Sequence, residues 1–197
     1  MSELWTFFQV GFRHIASVDA MDHVLFLLVL AAIYRFRDWR DALWVVSAFT
    51  VGHSITLALA VTGAVRMPMA VIEFLIPITI VATCVENLVV ADRKRAPWGG
   101  RYRPVFAGVF GLVHGAGFAN YLRELFVDRV AVPLLGFNLG IEAGQIVVLI
   151  AAGGLFVAVD AALRAIPVRA PLRLRVVMVS SSVAVVAALW AAQRTPW

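Results

Sequence analysis

Apolar residues run through this chain in stretches long enough to cross a lipid bilayer, with short polar breaks between them. Six such stretches can be drawn, at roughly 18–34, 42–65, 68–91, 104–122, 132–159 and 174–193. About 20 apolar residues at a rise of about 1.5 Å each cover the hydrocarbon core of a bilayer. In lipid only helices and closed barrels satisfy their own backbone, and these runs are about twice as long as a barrel strand. The pattern therefore predicts an all-α fold, a polytopic membrane bundle of about six transmembrane helices forming one domain over residues 1–197. Residues 1–17, with Trp5, Phe7 and Phe8, read as an interfacial segment at headgroup depth. They lack the basic start, apolar middle and cleavage site of a signal peptide.

Composition agrees with the pattern. Of 197 residues 62% are hydrophobic, and the mean hydropathy is +0.89. A soluble domain is about 45–50% apolar, and no stretch here is long and polar enough to form a second, soluble one. The single cysteine, Cys84, lies in an apolar run, so no intramolecular disulfide can form.

Charge adds an orientation. The formal net charge is +5 and the isoelectric point about 10.3, a balance that in a soluble protein would suggest nucleic acid. Here the basic residues flank apolar runs instead. Twelve of the 17 Lys+Arg residues fall in the breaks after the first, third and fifth spans. They are Arg35, Arg37 and Arg40, then Arg93, Lys94, Arg95, Arg101 and Arg103, then Arg164, Arg169, Arg173 and Arg175. The positive-inside rule puts those breaks in the cytoplasm and both termini outside, on the periplasmic face of a bacterial inner membrane. The lipid bilayer is the expected partner and nucleic acid is not. Nothing in the pattern excludes a homo-oligomer.

The polar residues inside the spans carry the candidate chemistry. An ionisable group in the membrane interior is costly and usually marks function. Span 1 holds Asp22 and His23, with His14 just before it; span 2 holds His53; span 3 holds Glu73 near its outer end and Glu86 and Asn87 toward its inner end. Span 4 holds His114, and span 5 holds Asn138, Glu142 and Gln145. All four histidines are thus in or beside spans. Counting residues from the span ends puts Asp22 and His23 near the outer end of span 1. His53, His114 and Glu142 lie at depths where they could join them, and Glu86-Asn87 forms a second polar station below. A single buried histidine is usually a hydrogen-bonded packing residue; three on three helices, with carboxylates nearby, suit a metal site better.

Span 5 can be phased at about 100° per residue. With Gly136 at zero, Gly140 and Gly144 fall within about 80°, and Gln145, Asn138 and Glu142 fall at about 180–240°. One side is a glycine seam suited to close helix contact, and the other is a polar stripe. Gly108, Gly111 and Gly115 make a similar seam beside His114.

Neutral imidazole suits Zn, Cu, Fe and Ni. Asp22, His23, His53, His114 and Glu142 are the candidate ligands for a divalent ion, Ni2+, Zn2+ or Co2+. His14, Glu73, Glu86, Asn87, Asn138 and Gln145 are candidates for supporting or relaying it. Asp22 could instead orient His23 from behind. The same residues also fit a proton relay.

The segments "GFRHIASVDAMDHVLFLL", "FTVGHSITL", "VEN", "FGLVHGAGFA" and "FNLGIEAGQ" resemble, in order, motifs of the HupE/UreJ family of hydrogenase and urease accessory membrane proteins. The resemblance covers residues 11–151. It implies a nickel or cobalt permease of about six to seven spans. The motif positions are His14, Asp22, His23, His53, Glu86, His114, Asn138, Glu142 and Gln145. Two readings stay open beside a permease. One is an intramembrane Zn-type hydrolase of a lipid or peptide bond, with Glu142 or Glu86 as general base. The other is an accessory protein whose polar residues only join helices, at about 0.6 kcal/mol per contact.

Overall fold

The computed structural model describes residues 2–17, 20–91, 96–125, 130–167 and 169–197. These form seven α-helices: α1 Glu3–Ala16, α2 Met21–Ala31, α3 Trp39–Val61, α4 Met69–Val90, α5 Arg103–Leu125, α6 Ala131–Arg164 and α7 Pro171–Gln193. There is no strand among the described residues. Short 3-10 turns, Phe36–Asp38 and Pro97–Gly100, precede α3 and α5. Proline sets two of the starts: Pro68 directly precedes α4 and Pro171 opens α7, positions where the missing N–H costs nothing.

Four helices, the 36–61 segment, α4, α6 and α7, are each long and apolar enough to cross a membrane. α1 and α2 qualify together as a fifth, bent by 66° at the break between them. α5, with 23 residues, covers about 34 Å at the usual rise, also enough to cross.

Glycines decide which helices touch. A Cβ on Gly52 would strike the Gly108 carbonyl, and one on Gly111 or Gly115 would strike the Phe49 or His53 carbonyl. Contacting residues rise in number together along α3 and α5, so the two helices run parallel with their backbones in contact. α1 and α6 make a second parallel pair. Leu4 packs on Gly136, Phe8 on Gly140, Phe12 on Gly144, and Gly11 on Phe137. The glycine seams expected on spans 4 and 5 are therefore the seams of these two pairs.

The N-terminal segment differs in place from the interfacial expectation. α1 is packed lengthwise along the first half of α6, because Gly136, Gly140 and Gly144 leave a groove that its side takes up. Asp22 and His23 consequently lie at a break partway along an α1–α2 path rather than at its outer end.

α4 runs antiparallel to α5 and to α7. Thr79 meets His114 and Asn87 meets Arg103; Phe74 meets Trp197 and Asn87 meets Ser180. The start of α1 and the end of α7 therefore lie at one end of the bundle, with the start of α4 and of α6. The opposite end gathers Arg35, Arg37, Arg40, Arg101, Arg103, Arg164, Arg169, Arg173 and Arg175. Arg93, Lys94, Arg95 and Arg129 lie outside the described residues.

Candidate metal site

His14 comes from α1, His23 from α2, His53 from α3 and His114 from α5, and the four rings form one layer inside the bundle. Ring centroids are 4.6 Å apart for His14–His23, 5.1 Å for His23–His114, 5.9 Å for His14–His53 and 6.2 Å for His23–His53. One ligand nitrogen from each of His14, His23 and His53 lies within 4.8 Å of the other two. Three nitrogens each about 2.1 Å from one ion lie about 3.4–3.6 Å from one another, so closing on an ion takes an inward shift of less than about 1 Å by each.

The sequence explains why the rings converge. His53 follows Gly52 and its main chain packs on Gly111 and Gly115, so the α3–α5 backbone contact brings it beside the turn of α5 that carries His114. The break between α1 and α2 lets His14, near the end of one helix, face His23, near the start of the next. His53 and His114 are 0% and 1% exposed and His23 4%.

Hydrogen bonds orient two of the rings. Asp22 Oδ1 accepts the backbone N–H of His23 at 2.9 Å and lies 3.0 Å from His23 Nδ1. A carboxylate only accepts, so a neutral His23 carries its proton on Nδ1 and leaves Nε2 bare. Thr79 gives its one hydroxyl hydrogen to the Ile76 carbonyl at 2.7 Å. It lies 2.9 Å from His114 Nε2; with the hydroxyl hydrogen on Ile76 it accepts from Nε2–H, which leaves Nδ1 of a neutral ring bare. His14 Nε2, His23 Nε2, both nitrogens of His53 and His114 Nδ1 are buried with no partner among the described residues. A buried polar atom left unpaired costs about 1–3 kcal/mol, so several around one point imply a ligand that they share.

Aromatic rings close this layer on both sides. Toward the arginine-rich end Phe26, Phe49 and Phe110 form a floor, with Phe26–Phe49 centroids 4.9 Å apart and Phe26–Phe110 6.3 Å. Toward the other end Phe118 lies 4.0 Å from His14 and stacks on Phe137 at 5.2 Å. Such walls exclude water and strengthen charge–ligand interactions inside.

A family model described as HupE / UreJ protein matches residues 1–194. The chain belongs to the HupE/UreJ family. No match was found among curated proteins or among solved structures. Members of the HupE/UreJ family are membrane proteins associated with nickel or cobalt transport or accessory function.

The other sequence candidates separate. Glu142 is exposed on α6 beside Leu135, Leu139 and Ile146 and is not in the histidine layer. Its helical phase explains this: the buried arc of α6 runs from Gly136 through Phe137 and Ile141 to Gln145, at about 0–180°, and Glu142 at about 240° lies past its edge. Glu73 is exposed on α4. Gln145 is buried and accepts a hydrogen bond from Thr50 at 2.8 Å, one turn of α3 from His53 toward the arginine-rich end. Asn138 follows Phe137, and its Oδ1 is buried without a partner among the described residues.

Glu86 and Asn87 form the second polar station, and an arginine occupies it. Arg103, 2% exposed, pairs with Glu86 at 3.0 Å and donates to Asn87 Oδ1 at 2.9 Å. Tyr102 also donates to Glu86, and Asn87 Nδ2 donates to the Val29 carbonyl at 2.6 Å. This network joins α4, α5 and α2. A similar one was not anticipated: Arg175, 2% exposed, pairs with Asp160 at 2.6 Å and donates to the Ala32 and Tyr34 carbonyls. Arg103 and Arg175, read in the sequence as loop charges, are buried anchors of the helix ends. Thr79 gives no sequence signal at all; only its place opposite His114 reveals its role.

Proposed function

We propose that this chain is a permease for a divalent transition-metal ion, Ni2+ or a similar one, in a bacterial inner membrane with both termini periplasmic. The observation that carries the reading is the set of buried, unpartnered ring nitrogens on His14, His23, His53 and His114. Imidazole nitrogens of this kind suit nickel, cobalt and zinc and give little hold on magnesium or calcium.

The ion is the cargo. His23, oriented by Asp22, and His114, oriented by Thr79, offer bare lone pairs, and His14 and His53 complete the set. Asn138 and Gln145 are polar steps on α6 beside the layer. The aromatic floor and roof require side-chain or helix movement for an ion to enter and leave, as alternating access demands. The Glu86–Arg103 pair is read as an anchor, since a guanidinium in that position opposes a passing cation.

The hydrolase reading has less support. Its general base was to be Glu142 or Glu86; the first is exposed away from the histidines and the second is held by Arg103 and Tyr102. Proteoliposomes loaded with a metal-sensitive dye separate the two readings. The permease reading expects Ni2+ to enter wild-type vesicles and not vesicles of His53→Ala. Binding without entry would contradict it.

A further inference from the structure

We propose that the arginine-rich end holds an anionic phospholipid of the adjoining leaflet in a groove between α3 and the second half of α6. The groove encloses about 1180 Å³, above the roughly 300–1,000 Å³ of ordinary small-molecule pockets. It arises because the glycine seam of α6 ends at Gly144. Beyond it the helix has no α1 partner, and α3 packs on α5. The Thr50–Gln145 bond ties α3 to α6 just past the closed end of the groove.

The lining changes character along its length. Leu43 on α3 and Ile146, Leu149 and Ile150 on α6 make the inner walls. Phe36 and Trp39, 76% and 53% exposed, stand at the mouth where an aromatic belt meets headgroups. Six arginines complete the lining: Arg35, Arg37, Arg164, Arg169, Arg173 and Arg175. Among the described lining residues the one acid is Asp160, and Arg175 neutralises it at 2.6 Å. From Ile146 to Val157 the apolar wall extends about 16 Å, close to half the thickness of the hydrocarbon core.

Charge decides the occupant. A basic rim repels a metal cation, so the groove is not a passage for the cargo. An apolar floor one leaflet deep under an arginine rim matches an acyl chain under a phosphate, as basic pockets between membrane helices do. This inference is independent of the permease reading.

The test uses purified full-length protein and native mass spectrometry with dioleoyl phosphatidylglycerol, dioleoyl phosphatidylcholine and inorganic phosphate. The expected result is retention of phosphatidylglycerol, with neither phosphatidylcholine nor phosphate retained at equal concentration. The triple variant R164Q/R169Q/R173Q, changed at exposed positions only, is expected to bind phosphatidylglycerol roughly 100-fold more weakly. The matching triple lysine variant is expected to keep most of the binding, which separates lost charge from misfolding. Equal retention of both lipids, retention of phosphate alone, a second copy of the chain in place of lipid, or wild-type binding by the glutamine variant would each overturn the proposal.

Discussion

Thr79 holds the ring of His114 in place: its hydroxyl lies 2.9 Å from Nε2 while it bonds the Ile76 carbonyl at 2.7 Å. Asp22 does the same for His23 from the opposite side of the site, across 3.0 Å. Neither residue needs to touch an ion to govern how well the rings hold one. Asp22→Asn and Thr79→Val are each expected to weaken metal binding by about 10–100-fold, the usual effect of losing a group that orients a ligand. Isothermal titration with Ni2+ reads this. An unchanged affinity in both variants would remove the tautomer argument.

Glu142 provides the contrasting expectation. It is exposed on α6 and apart from the imidazole layer, so Glu142→Gln is expected to change Ni2+ affinity by less than about twofold. Glu73→Gln, at a similarly exposed position on α4, is expected to behave alike. A large loss with Glu142→Gln, measured by the same titration, would mean that α6 turns to bring the carboxylate inward when the ion binds.

The backbone contact of α3 and α5 makes a stability prediction. A Cβ on Gly111 meets the Phe49 carbonyl and lies 2.9 Å from the His53 amide nitrogen, both main chain. Gly111→Ala is therefore expected to push α5 from α3 and to destabilise the fold by about 1–3 kcal/mol, as overpacking does. Thermal unfolding in detergent measures this. Gly154→Ala is the control, since no atom lies within 4 Å of the added methyl; it is expected to be neutral or slightly stabilising in its helix.

Acid should release the ion. Each imidazole has to be neutral to ligate, so proton and metal compete for the same nitrogens. Affinity is expected to fall in acid and to recover on neutralisation. The slope of log affinity against pH counts the displaced protons. A flat profile would argue for ligands other than histidine.

Much of this was legible in the sequence. The helical class followed from apolar run length, and the four histidines that meet stood out as ionisable groups in or beside the runs. The glycine spacing marked the seams, because small residues four apart have few other uses on a membrane helix. Glu142 was expected among the ligands and lies on the exposed side of α6, because phase orders residues around one helix but does not say where the buried arc stops. The place of α1 along α6 was not visible either. Its sequence, with one arginine and one glutamate, reads as interfacial until the α6 groove that receives it is known. Arg103 and Arg175 counted as loop charges because the sequence does not reveal which arginines fold back onto helix ends.

The central claim is that the histidine layer holds the ion. X-ray absorption at the nickel edge, on purified protein loaded with one equivalent of Ni2+, tests it most directly. The account predicts a nitrogen-rich shell with the outer scattering of at least three imidazoles, reduced in His53→Ala and lost with the site in the combined His23→Ala, His53→Ala variant. A shell of oxygen alone, or an imidazole signal unchanged in both variants, would contradict it.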